Sequence, residues 1–204
     1  MGPNLAAALR LMLVTDDVLV AGRDLVALAM AAERGGATSV QLRLKQAPPR
    51  ELVEMARALV AALAVPVLVN DRPDVAVAAG AAGVHVGPDD LAVDLVRRIA
   101  PPGFIVGASV GTDDEAARAG RADYWGVGPW RSTTTKADAG LSLGPDGFAR
   151  VVRLAAGIPC IAVGGVRPED VPAVRRAGGA GIAVVSGLLG ADDIAAATGR
   201  YINA

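Results

Sequence analysis

Eight short runs rich in Val, Ile and Leu, each followed by a stretch of helical period, predict an α/β fold: a closed (β/α)8 barrel forming a single domain over residues 1–204. Runs that are nearly continuously apolar read as strands buried on both faces, the signature of a parallel sheet covered by helices. Their number matters, since five or six such units would make an open doubly wound sheet the default. At roughly 25 residues per unit the chain sits near the lower size limit of the barrel, with little left for a second domain. Periodicity alone does not prove closure, so the open sheet is the competing architecture.

The elements follow in order. The first strand is Leu11 to Val14, followed by a helix from Arg23 to Glu33. The second is Ser39 to Arg43; its helix, Arg50 to Leu63, keeps Leu52, Met55, Ala56, Leu59 and Leu63 on one face. Val67 to Asn70 leads into a helix from Arg72 to Ala79, and Gly83 to Val86 into one from Leu91 to Ile99. Phe104 to Ser109 precedes a helix from Thr112 to Ala119, and Tyr124 to Val127 precedes a long loop and a helix from Pro145 to Ala155. Cys160 to Val163 with Pro168 to Ala177, then Gly181 to Val185 with Ala191 to Tyr201, complete the eight units. The 25 Gly and 13 Pro punctuate the chain into short elements.

Composition excludes several classes of function. With 20 Lys plus Arg against 21 Asp plus Glu, and no run of like charge, there is no electrostatic case for nucleic acid or an anionic membrane. Aromatic residues at 3% leave no stacking platform for single strands. No apolar run is long enough to span a bilayer, and the N-terminus lacks the pattern of a secretory signal. The single cysteine, Cys160, rules out an internal disulfide and fits a reducing, cytoplasmic setting, where it reads as a small buried hydrophobe.

In a barrel of this kind chemistry sits on the loops that follow the strands, and polar residues break the apolar pattern there. In SVQLRLK, Gln41, Arg43 and Lys45 share one face while Val40, Leu42 and Leu44 share the other. The apolar face fits the helix layer, so the polar trio points into the barrel mouth. An Arg in that position calls for an anion: a ligand phosphate, or an interior carboxylate in a structural ion pair. The chain has only two lysines, Lys45 and Lys136, and both follow predicted strands, as suits an ammonium against phosphate oxygens. Asp71, and Asp89 or Asp90 on the next loop, are a carboxylate pair suited to a hard cation such as Mg2+; equally, Asp71 and Asp90 could cap the helices that follow. The sixth loop, Gly126 to Gly147, carries three threonines and Lys136 and reads as a binding loop or lid. Gly164, Gly165, Ser186 and Gly187 after the last two strands offer bare amides for a phosphate. Ser109 joins the same rim, but nothing in the sequence puts the only histidine, His85, beside it as a base, and His85 reads first as a structural, hydrogen-bonded residue. Tyr124, Trp125 and Trp130 flank the sixth loop, with packing as the default use.

Taken in order, LMLVTD, VQLRLK, NDRPD, GVHVGPDDL, GASVG, DYWGVGPWRSTTTKADAG, IAVGGV and GIAVVSG resemble the thiamine-phosphate synthase family across nearly the whole chain. The resemblance implies a Mg2+-dependent condensation of hydroxymethylpyrimidine diphosphate with thiazole phosphate, or its carboxylated form, giving thiamine phosphate and pyrophosphate by dissociative loss of pyrophosphate. It implies Gln41, Arg43, Lys45, Asn70, Ser109 and Lys136 on the pyrimidine diphosphate, with Arg43, Lys45, Ser109 and Lys136 acting in catalysis. Thr133, Thr135, Gly165, Val185 and Ser186 would bind the thiazole phosphate, and Asp71 and Asp90 the metal. The partners implied are phosphorylated small molecules, with a homodimer open. The chain departs from the family's usual residues at Met12 for Tyr, Pro88 for Gln, Gly111 for His and Ser132 for Pro. The alternatives are a thiazole tautomerase on the same barrel, which uses a histidine near position 111, and a phosphate-ligand binding protein without turnover.

Overall fold

A computed structural model describes residues 5–132 and 141–204 of the chain. Eight parallel strands pair each with the next: β1 (Leu11–Val14), β2 (Ser39–Leu42), β3 (Val67–Asn70), β4 (Gly83–Val86), β5 (Ile105–Val110), β6 (Tyr124–Val127), β7 (Cys160–Val163) and β8 (Gly181–Val184). The eighth strand returns to the first, Leu13 opposite Val184, which closes the barrel and removes the open-sheet alternative. The helices between them, in chain order, are α1 (Leu5–Ala8), α2 (Asp17–Val20), α3 (Leu25–Arg34), α4 (Pro49–Ala62), α5 (Pro73–Ala79), α6 (Val93–Ile99), α7 (Asp113–Ala119), α8 (Gly144–Leu154), α9 (Val171–Arg176), α10 (Ser186–Leu189) and α11 (Ile194–Ile202).

Period-two alternation sorts every strand between two apolar layers. In β1, Leu11 and Leu13 pack outward with Ala29, Ala56 and Leu59 in the helix-facing core. Met12 and Val14 point inward and join Leu9, Leu68, Ile105, Tyr124, Ile161 and Ala183, which fill the barrel interior. Both faces are thus buried, as near-continuous Val, Ile and Leu require. No helix among the described residues is long and apolar enough to cross a membrane.

The boundaries depart from expectation in a few places. β2 ends at Leu42 and β8 at Val184, so Arg43 begins a loop and Val185 is the single residue before α10, while β5 runs on through Val110. The seventh helical segment is a 3-10 turn, Pro168–Asp170, followed by α9. α1, α2 and α10 were not anticipated: at four residues each, they are too short to show a helical period. The capping roles open to Asp71 and Asp90 are not taken up. The residue before α5 is Arg72 and that before α6 is Ala92, and neither helix has a side-chain cap.

Candidate functional site

At the C-terminal ends of the strands lies a cavity of about 230 Å³. Its walls include Gln41, Arg43, Lys45, Asn70, Asp71, Asp90, Ser109, Gly165, Val185 and Ser186, so every described residue to which the family resemblance gives a site role lines one space. Thr133, Thr135 and Lys136 fall in 133–140, the part of the sixth loop that lies outside the described residues.

The turn between β1 and α2 holds the end of β2. The buried Thr15 hydroxyl accepts from the Arg43 backbone N–H (2.7 Å) and donates to its carbonyl (3.1 Å). Asp17 accepts from the backbone N–H groups of Lys45 (2.9 Å) and Gln46 (3.2 Å). Asp16 caps α2 by accepting from Val18 and Leu19, and its other carboxylate oxygen meets the Arg43 guanidinium at 3.5 Å. An interior carboxylate, one of the two anions weighed for Arg43, is therefore present. The contact is long and uses one of five guanidinium N–H groups.

Across the mouth, Asp71 adopts φ +61°, a conformation seldom taken by residues with a β-carbon, and its N–H donates to the His85 carbonyl at 2.8 Å. Its carboxylate lies 3.5 Å from the Lys45 ammonium. Burial, then a hydrogen bond and charge repulsion from Asp90, push the Asp71 carboxyl up to about 6, and Lys45 only partly offsets them. One Asp90 oxygen is held by the Gly87 N–H at 2.7 Å. Two carboxylates forced together are a donor set that a hard divalent cation relieves, and Mg2+ characteristically takes one or two carboxylates and completes its shell with water and phosphate. Among the described residues no group of three or more His, Cys, Asp or Glu is placed to hold an ion.

The far wall is built from β7 and β8. Gly164 (φ +86°) and Gly165 (φ +67°) turn the chain where a β-carbon on Gly165 would stand 2.9 Å from that of Arg131. Arg131 is in turn held by a two-point ion pair with Asp170, its Nε donating at 3.0 Å. Burial acts to raise the Asp170 carboxyl, but hydrogen bonds from Arg131 and the Arg167 N–H outweigh it and hold the group below its usual range. After β8 the chain passes through Val185 straight into α10, a short extra helix of the kind that accompanies phosphate sites in this fold.

Sequence reasoning missed one constellation. His85, which nothing in the sequence placed beside Ser109, lies between it and Tyr124: Nε2 is 3.0 Å from the Ser109 hydroxyl and Nδ1 is 2.9 Å from the Tyr124 hydroxyl. The signal was present in GVHV, where alternation with Val84 and Val86 turns His85 inward. Tyr124 is likewise an interior residue, while Trp125 and Trp130 pack in the helix-facing core as expected, Trp130 edge-on to Phe148. Cys160 is buried, and burial pushes its thiol up to about 12, which fits an inert small hydrophobe. Met12 is fully buried, and its sulfur accepts from the Gln41 amide at 3.4 Å. At Gly111 a β-carbon would meet the Gly128 carbonyl at 2.8 Å, so a histidine would require the backbone to shift.

Known proteins resemble this chain in sequence and fold. The thiamine monophosphate synthase family model matches residues 11–188. A thiamine-phosphate synthase of Azorhizobium caulinodans is 47% identical over 91% of this chain and 90% of its own, and one of Chloroflexus aurantiacus is 47% identical over 92% and 88%. A thiamine phosphate pyrophosphorylase structure from Pyrococcus furiosus superposes with a TM-score of 0.87 at 35% identity, covering 98% of this chain and 96% of that one. A 3-hexulose-6-phosphate synthase, at a TM-score of 0.70 and 20% identity, shares the fold. From the closed barrel, the common cavity and these relatives it follows that the chain belongs to the thiamine monophosphate synthase family, with the transferase activity of a thiamine-phosphate synthase.

Proposed function

We propose that this synthase joins hydroxymethylpyrimidine diphosphate to thiazole phosphate, or its carboxylated form, by a dissociative reaction assisted by Mg2+. The observation that carries the reading is the layout of one cavity, with Arg43 and Lys45 on one wall facing Asp71 and Asp90 and Ser109, and with the Gly164–Gly165 and Val185–Ser186 turns on another. Gln41 and Asn70 would orient the pyrimidine, while Arg43, Lys45, Ser109 and Lys136 would contact the diphosphate. As the carbon–oxygen bond breaks, negative charge gathers on the departing pyrophosphate, so fixed cations on those oxygens stabilise the transition state more than the ground state. Asp71 and Asp90 would hold Mg2+, which when bound supplies further positive charge at the same oxygens.

Once pyrophosphate has separated, the aminopyrimidine spreads the charge of the methylene cation, and the thiazole nitrogen attacks it. That nitrogen has a free lone pair, so positioning governs the second step and no general base is needed. Thr133, Thr135, Gly165, Val185 and Ser186 would hold the thiazole phosphate at the correct distance. The test is pyrophosphate release from the purified protein given both substrates, with and without Mg2+, alongside detection of thiamine phosphate. Release that requires both substrates and metal, with matching product, is expected; a folded protein that makes no product under either condition overturns the reading.

A further inference from the structure

Gln41, His85 and Ser109 line the cavity, and Tyr124 lies in the barrel interior among apolar neighbours. The Gln41 amide donates to the Met12 sulfur at 3.4 Å. A thioether can only accept, so the nitrogen end of the amide is the one turned inward. Burial pushes the Tyr124 hydroxyl far above the ordinary tyrosine value. The phenol therefore keeps its proton, and because it is fully buried with His85 as its hydrogen-bond partner among the described residues, an O–H that did not donate there would go unpaired. His85 Nδ1 is 2.9 Å away.

A ring nitrogen that accepts leaves the proton of a neutral imidazole on the other one. Nε2–H then donates to the Ser109 oxygen at 3.0 Å. The Ser109 O–H is left over, and Ser109 lines the cavity. The opposite tautomer would commit the Ser109 proton to His85 and turn oxygen lone pairs toward a diphosphate. The backbone is cleared for this arrangement at two points: a β-carbon on Gly126 would stand 2.8 Å from His85 Cε1, and one on Gly107 would run into the Tyr124 ring.

We infer that Tyr124 and His85 form a one-way hydrogen-bond chain that ends at Ser109 and presents its hydroxyl to the cavity as a donor, which makes His85 and Tyr124 positioning residues of the reaction. The role in turnover rests on the synthase reading above; the direction of the chain does not.

Two measurements test it. His85 is the only histidine, so protein labelled with 15N-histidine has a single imidazole, observable at pH 8 without any ligand. Nε2 is expected to be the protonated nitrogen and Nδ1 the bare one; the reverse overturns the inference even where the variants below fail to fold. In steady-state kinetics, Tyr124→Phe keeps the ring and removes the hydroxyl. It is expected to lower kcat about tenfold, as loss of a supporting partner typically does, with KM for both substrates little changed. Ser109→Ala is expected to lower kcat further, and Ser109→Ala with Tyr124→Phe no further than Ser109→Ala alone, because Tyr124 acts through the serine. A Tyr124→Phe variant as fast as the unmodified enzyme, or losses that multiply in the double variant, overturns the positioning role. A wild-type protein that makes no thiamine phosphate overturns the synthase reading and with it that role, while the tautomer still decides the direction of the chain.

Discussion

Asp71 occupies left-handed backbone at φ +61°, close to Asp90 and Lys45. Strain and like charge at one residue are costs that a function can maintain. With the folded value raised to about 6 from an ordinary 3.8, the folded protein binds more protons than the unfolded chain between those limits. The contribution to stability is therefore fully present below about pH 4 and is lost as pH rises through 6. Asp71→Asn should stabilise the metal-free protein at pH 8 by on the order of 1–2 kcal/mol in urea unfolding, with the gain fading by pH 4, because Asn carries no charge and tolerates positive φ. The same variant should lose roughly two orders of magnitude in Mg2+-dependent turnover. At this scale the polar residues themselves were legible, since Gln41, Arg43 and Lys45 break an apolar alternation. Their partners were not: Asp16 for Arg43 and His85 for Ser109 lie 27 and 24 residues away in sequence, and only the pairing of strands brings them together.

The element that orients Arg43 and Lys45 is a turn that ends in a four-residue helix. Thr15, Asp16 and Asp17 each bind the end of β2, so α2 acts as a brace placed one strand earlier in the chain. The loop after β7 does comparable work at the other wall through glycine. Gly165→Ala would force a β-carbon onto φ +67° and against Arg131. We expect a cost of about 1–2 kcal/mol, read as a rise of roughly tenfold in KM for thiazole phosphate while the protein still folds. Strands were legible as short apolar runs, and the long helices because nine to fourteen residues carry a period. α1, α2 and α10 were not, because one turn of helix has no period to read, and α10 completes the wall beside Ser186.

For the molecule as a whole, closure produces the function-bearing space: eight strand ends converge on one cavity, and beneath it the interior is filled by side chains from alternate positions. Gly107→Ala tests how tightly that filling is specified, because a β-carbon there would run into the Tyr124 ring. It should destabilise the barrel by about 2–3 kcal/mol, seen as a lower urea midpoint at unchanged slope. Strand count, the order of the long helices, the two faces of each strand and the polar residues at the strand ends were determined by the sequence itself, since each depends on residues within a few positions of one another. Closure of β8 on β1, the Asp71–Asp90 pairing without helix caps, and the run from Tyr124 through His85 to Ser109 were decided only by the tertiary structure. Each depends on distances between strands, which the curvature and register of the closed sheet set and local periodicity does not contain.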